Sequence, residues 1–287
     1  MIKQSYRILA ISPAHFADYV EAETALQQKI MSLSAADIKA MEDDNEEEDD
    51  SYILQMVDNV AIINVAGRLT NRDIYWNRYF GMLSYNEIRK AILQGRDNGA
   101  GAMVFRYDTP GGAVDGMNET GELIANLDIP TITHTSASMA SAGYFLGIQS
   151  DYVYADTFAD IGSIGVIIKF YDRSKMLADN GIKPVRFRSG KLKAAGDGDF
   201  KLTAEETAYI EGIVSNYAGK FYNIVSAARG MPVDYMEKIG ITSGRTYIGE
   251  EALAVNLIDN LKTFDETMLK GFNLTKRVDK QQSFSLS

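Results

Sequence analysis

Two apolar, β-branched runs, each ending in a loop of very small residues, constrain this chain more than any other feature. The first is AMVFRYDTPGG, residues 102–112. The second is PTITHTSASMASAGYFLG, residues 130–147. Between them, 114–127 has room for a helix. A strand, a crossover helix and a second strand read as parallel neighbours joined by a right-handed connection. Sites in such sheets lie beyond the strand C-termini. Both small-residue loops have that address, and both let a ligand approach the backbone.

The same order extends on either side. YILQM and VAIINVAG flank Asp58–Asn59 as a strand pair with a turn. SYNEIRKAILQG is a helix with Ser84 and Glu87 as a capping box and Ile88, Ala91 and Ile92 on one face. DYVYA, GVIIKF and KPVRFRSG read as further strands. A long amphipathic helix starts at Thr203, with Glu206 completing a second capping box and apolar positions from Ile210 to Val225. The fold class is α/β.

With 287 residues, 46% of them apolar, the chain can bury one large domain plus an appendage. Residues 1–51 read as an N-terminal helical appendage, in which Ser12 is a possible N-cap and Pro13 the first helical residue, followed by an acidic linker. Residues 52–287 form the main domain. The net charge of −10 is concentrated in EDDNEEEDD, residues 42–50, whose eight acids leave the rest at about −2. Without a basic cluster, nucleic acid is not an expected partner. No run approaches the ~18 apolar residues of a membrane span, and the N-terminus has no leader pattern, so a cytoplasmic protein is expected. Cysteine is absent, which excludes disulfides and thiolate chemistry.

The segment TSASMASAG carries Thr135, Ser136, Ser138 and Ser141 beside His134, one of two histidines with His15. A serine attacks only when a base takes its proton. His134 precedes Ser141 by seven residues, a spacing that no familiar triad order shares. Lysine is the other choice. Its ordinary pKa near ~10.4 must fall to about 7–8, which burial among small residues can bring about. FRSGKLKAAGDGDF offers Lys191 and Lys193, and spacing does not choose between them. The Gly111–Gly112 turn has backbone N–H groups suited to an oxyanion.

These segments together resemble the S49 serine peptidases, which include signal peptide peptidase A and the phage prohead proteases. DTPGG (108–112), MASAGYFLG (139–147), DIGSIGVI (160–167), SGKLKAAGD (189–197) and SGRTYIGEEALAVNLIDNL (243–261) match the family's motifs in order. The resemblance implies a ClpP/crotonase-like spiral of ββα units with a helical C-terminal tail. It implies Ser141 as nucleophile and Lys193, 52 residues on, as base. Gly111 or Gly112, with the Ser141 N–H, would form the oxyanion hole, and Ser163 would orient the lysine. Ser138 is the rival nucleophile, since ClpP carries an A-S-M segment. Asn256 stands where the family has glycine. No cofactor or metal is implied.

The expected reaction is hydrolysis of a polypeptide through an acyl-enzyme, with the substrate strand adding edge-on near DTPGG. The N-terminal region is closer to the phage members. Scaffold and capsid proteins are therefore the expected substrates, and a homo-oligomeric ring the expected assembly, with a dyad that can cross between subunits. The alternatives are a cytosolic bacterial peptidase, a crotonase-like acyl-CoA enzyme and an inactive assembly module.

Overall fold

A computed structural model describes residues 8–11, 24–25, 28, 32, 52–73, 77 and 80–285, with side chains to residue 276. The expected N-cap at Ser12, with Pro13, and the acidic linker lie outside the described residues. In chain order the strands are β1 (Ile8–Ile11), β2 (Leu54–Val57), β3 (Val60–Ala66), β4 (Arg68–Thr70), β5 (Met82–Ser84), β6 (Ala102–Thr109), β7 (Gly111–Ala113), β8 (Thr131–Ala140), β9 (Tyr152–Ala155), β10 (Asp160–Gly162), β11 (Ile167–Ile168), β12 (Thr246–Ile248) and β13 (Asn260–Leu261). The helices are α1 (Tyr85–Asp97), α2 (Met117–Ala125), α3 (Ala142–Gly147), α4 (Ser174–Asp179), α5 (Ala204–Arg229), α6 (Val233–Lys238), α7 (Gly249–Ala254) and α8 (Phe264–Ser285).

The larger sheet runs β12-β10-β8-β6-β3-β2, with β9 on β8 and β13 on β9; the smaller runs β11-β1-β7-β4-β5. β3, β6, β8 and β10 are mutually parallel, while β2 and β3 form the expected hairpin. A long strand enters one sheet, a short strand the other, and a helix returns: β3-β4-β5-α1, then β6-β7-α2. This repeat is the ββα spiral of the ClpP/crotonase class. Parallel strands need such crossovers, and the helices cover the faces.

Local chemistry places the helix ends. Ser84 and Glu87 form a reciprocal capping box on α1, and Thr203 and Glu206 do so on α5. Gly230 closes α5 in the left-handed region at φ 62°. Phe221 of α5 is 1% exposed and meets Phe145 of α3 edge-on, centroids 5.4 Å apart. Burying such a ring stabilises the fold by about 1.5–3 kcal/mol, so α5 holds α3 in place. On the other face, Met268 and Leu274 of α8 pack on Val60, Ile62, Val104 and Ile132.

Two expectations change. KPVRFRSG forms no strand, and of GVIIKF only Ile167–Ile168 does. Among the described residues, 183–190 find no strand to pair with; side chains hold them instead. Arg186 reaches Asp197 at 3.1 Å and Glu206 at 3.4 Å, and Arg188 reaches Glu206 at 2.7 Å. Val185 and Phe187 stay 74% and 94% exposed. The second change is at the N-terminus. Ile8–Ile11 is a strand of the smaller sheet, antiparallel to both β7 and β11.

Candidate active site

β8 is straight from Thr131 to Thr135 and irregular afterwards. Against β6 the register passes from Tyr107↔Thr135 to Thr109↔Met139. The extra residues form a bulge, which bends the strand and re-aims the side chains beyond it. Ser136 is exposed, and Ser138 is half-buried with its hydroxyl donating to Thr109 O at 3.2 Å. The strand then ends at Ser141, where α3 begins.

Ser141 is fully buried, with φ 54° and ψ −114°. A non-glycine residue at positive φ pays for a conformation that the surroundings must impose. Two bonds impose it here: Ser141 N donates to Gly162 O at 2.7 Å, and Phe145 N donates to Ser141 O at 2.9 Å. The Ser141 N–H, expected to face a substrate, is thus committed to β10. The Ser141 hydroxyl donates to Gly165 O at 3.4 Å.

The DTPGG loop lies directly opposite. Gly111 has φ 99°, and its N–H donates to Thr109 Oγ1 at 3.1 Å. A Cβ on Gly111 would fall 3.0 Å from Ser141 Cβ, 3.0 Å from Ala142 N and 2.2 Å from Ala10 O. A Cβ on Gly112 would fall 1.9 Å from Leu69 O. The two glycines are therefore required by close approach, Gly111 to Ser141 and β1, Gly112 to β4. The nitrogen beside Gly111 belongs to Ala142 and not to Ser141, whose N–H is taken by Gly162 O.

Ser163 follows Gly162 at φ 52°, is 3% exposed and donates its N–H to Arg245 O at 2.8 Å. The structure thus brings Ser141, Gly111 and the Gly162–Ser163 turn together. It does not bring Lys193 to them within one chain. Lys193 is exposed in the 189–197 loop, its N–H donating to Gly190 O at 3.2 Å. Among the described residues its side chain makes no hydrogen bond or ion pair. Lys191 is 80% exposed and pairs with Glu205 at 3.7 Å.

His134 points elsewhere. It is fully buried in β8, its Nε2 lies 2.9 Å from Lys262 O and its ring meets Phe264 at 5.5 Å. Burial lowers its pKa below the usual value. Tyr144 OH donates to Leu257 O at 2.8 Å, which ties α3 to the 243–261 segment. Asn256, in place of the family's glycine, sits at φ 61°, a region asparagine tolerates, and its Nδ2 donates to Arg229 O at 2.8 Å.

No helix among the described residues is long and apolar enough to cross a membrane. Residues 125–276 match the model of peptidase family S49. An Enterococcus faecium protein named for the signal peptide peptidase SppA is 30% identical over 171 residues, 58% of this chain and 48% of that one. Capsid assembly protease C of Escherichia phage lambda is 27% identical over 257 residues, 88% of this chain and 56% of that one. A solved membrane-bound stomatin-specific protease is 21% identical with a TM-score of 0.45, over 74% of this chain and 82% of that one. The chain thus spans about half the length of the curated relatives named here. The chain belongs to peptidase family S49.

Proposed function

We infer that this chain is a serine endopeptidase in which Ser141 is the nucleophile and Lys193 the base. The observation that carries the reading is the setting of Ser141: buried, held at positive φ, and facing Gly111 with the Ala142 N–H beside it. A sharp strand-to-helix turn of this kind presents a nucleophile at the end of a sheet. Ser141 Oγ adds to the scissile carbonyl carbon while its proton passes to Lys193 Nζ. The negative oxygen is received by the Ala142 N–H and by the Gly111–Gly112 turn, where the Gly111 N–H must turn from Thr109 Oγ1 to the substrate. Lys193 gives the proton to the leaving amine as the C–N bond breaks. Water then hydrolyses the acyl-enzyme with the same amine as base. Ser163 is the hydroxyl that orients that amine.

Lys193 meets Ser141 in a homo-oligomeric ring. The exposure of Met176, Ile182, Val185 and Phe187, all in the arm that leads into the lysine loop, supports this, because large apolar patches of that kind mark contact surfaces. The substrates are polypeptides, and within the family the role is that of a phage prohead protease trimming scaffold and capsid proteins. The lambda protease C alignment, which spans 88% of this chain, supports that branch. The SppA-like relative, aligned over 58%, supports a bacterial peptidase as the second reading.

The test is hydrolysis of casein and of a candidate scaffold protein by wild type, Ser141→Ala, Lys193→Ala and Lys191→Ala. The first two variants lose activity and Lys191→Ala keeps it. Ser141→Ala cutting as fast as wild type sinks the assignment.

A further inference from the structure

β1 lies beside the glycine turn that faces Ser141. It runs antiparallel between β7 and β11, with Leu9↔Ala113, Ala10↔Gly112 and Ile11↔Gly111 on one side and Ile8↔Ile168 and Leu9↔Ile167 on the other. An extended peptide that adds to a sheet edge through main-chain bonds is a common way for a sheet to bind a strand, and β1 is held in this way on two sides. The carbonyl oxygen of Ala10 lies 2.2 Å from the point where a Gly111 Cβ would sit, and Ser141 Cβ and Ala142 N lie 3.0 Å from that same point. The Ala10 carbonyl, Ser141 Cβ and Ala142 N thus border the same small space beside Gly111. The side chains alternate as in a bound substrate. Leu9 and Ile11 pack with Ile167 in a small apolar cluster, while Ala10, fully buried, joins the main core.

We propose that Ile8–Ile11 is an internal substrate seated in the peptide channel, with the bond between Ala10 and Ile11 presented to Ser141, so that the chain removes its own residues 1–10 and thereby opens the site. The proposal rests on the peptidase reading above. Ser141 Oγ adds to the Ala10 carbonyl carbon and its proton passes through the base to the Ile11 nitrogen as that C–N bond breaks. Water then releases Ala10 as a carboxylate and restores the serine hydroxyl. The same channel defines what the enzyme takes from other proteins: an extended strand with a small residue before the cut and aliphatic residues on either side.

The experiment is intact-mass spectrometry of the full-length chain during incubation, run beside casein hydrolysis on the same sample. Wild type is expected to lose residues 1–10 and begin at Ile11, at a rate independent of protein concentration once the ring that joins Lys193 to Ser141 has assembled, and casein hydrolysis to show a lag that ends as the segment is lost. Ser141→Ala keeps its N-terminus. Ala10→Arg, whose side chain does not fit the buried position, slows the cut by about 100-fold, the cost of ångström-scale misplacement. The comparison of wild type with Ser141→Ala stands even if the arginine variant fails to fold. Wild type that hydrolyses casein without a lag while retaining residues 1–10 overturns the proposal and leaves the peptidase reading intact, as does a cut at another bond. Wild type that cuts neither casein nor itself overturns both.

Discussion

Gly112→Ala tests the packing that brings the glycine turn to Ser141. The new Cβ would lie 1.9, 2.6 and 2.7 Å from the O, C and Cα of Leu69. All three are backbone atoms of β4, so no side chain can rotate away and β7 must separate from β4. Overpacking costs about 1–3 kcal/mol, and the Leu69↔Gly112 pairing that is lost adds about 1 kcal/mol. A destabilisation of about 3 kcal/mol lowers the melting temperature by roughly 6–12 °C in a domain of this size. The displaced turn lowers kcat/KM by about 100-fold, since reacting groups tolerate little movement. Thermal melts and peptide hydrolysis on the same preparations give both numbers. Gly212→Ala is the control: it lies inside α5 with open space around its Cβ, and is expected to stabilise by about 0.5–1 kcal/mol. If Gly112→Ala melts with wild type and keeps its activity, β7 does not lie against β4 as described.

Ser138→Ala keeps activity, because that hydroxyl is spent on Thr109 O, and hydrolysis assays of the Ser138→Ala and Ser141→Ala pair separate the two serines. His134, buried with its pKa lowered, stays neutral in the fold while the unfolded chain takes up a proton below about 6.5. Stability therefore falls as pH drops through that value, and urea titrations of His134→Phe show a flatter dependence. Glu206 is held at about 2 by the Thr203 N–H, then by Arg188 and Arg186. Its stabilisation is present above the ordinary carboxyl range and is lost as pH falls from about 4.5 towards 2; Glu206→Gln removes that loss from an acid titration and loosens the segment that leads to Lys193. Asn256→Ala costs about 1–2 kcal/mol in denaturant melts, through its positive φ, whereas Asn256→Gly costs less.

The features readable along the chain were those made by contacts a few residues apart. Both capping boxes join residue i to i+3, the β2–β3 turn spans two residues, and the alternation of strands and helices follows from side-chain periodicity. Asn256 was visible only as a departure from the family pattern; its φ of 61° explains why asparagine is tolerated there. KPVRFRSG has the composition of a strand but no edge to pair with among the described residues, and composition carries no information about edges. The 189–197 loop carries the family's lysine motif, yet a single chain leaves Lys193 exposed.

By itself the sequence determined the α/β class and the alternation of the main strands and helices, which follow from side-chain periodicity and local hydrogen bonds; the ββα spiral came only from the resemblance carried by the five motifs. Only the tertiary structure decided that Ser141 is turned to positive φ by the carbonyl of Gly162, and that Ala142 rather than Ser141 offers its N–H beside Gly111. Only the tertiary structure decided, too, that ILAI enters the smaller sheet. Its partners Ala113 and Ile167 lie more than 100 residues away, and the two edges it bridges exist only after β7 and β11 have been assembled.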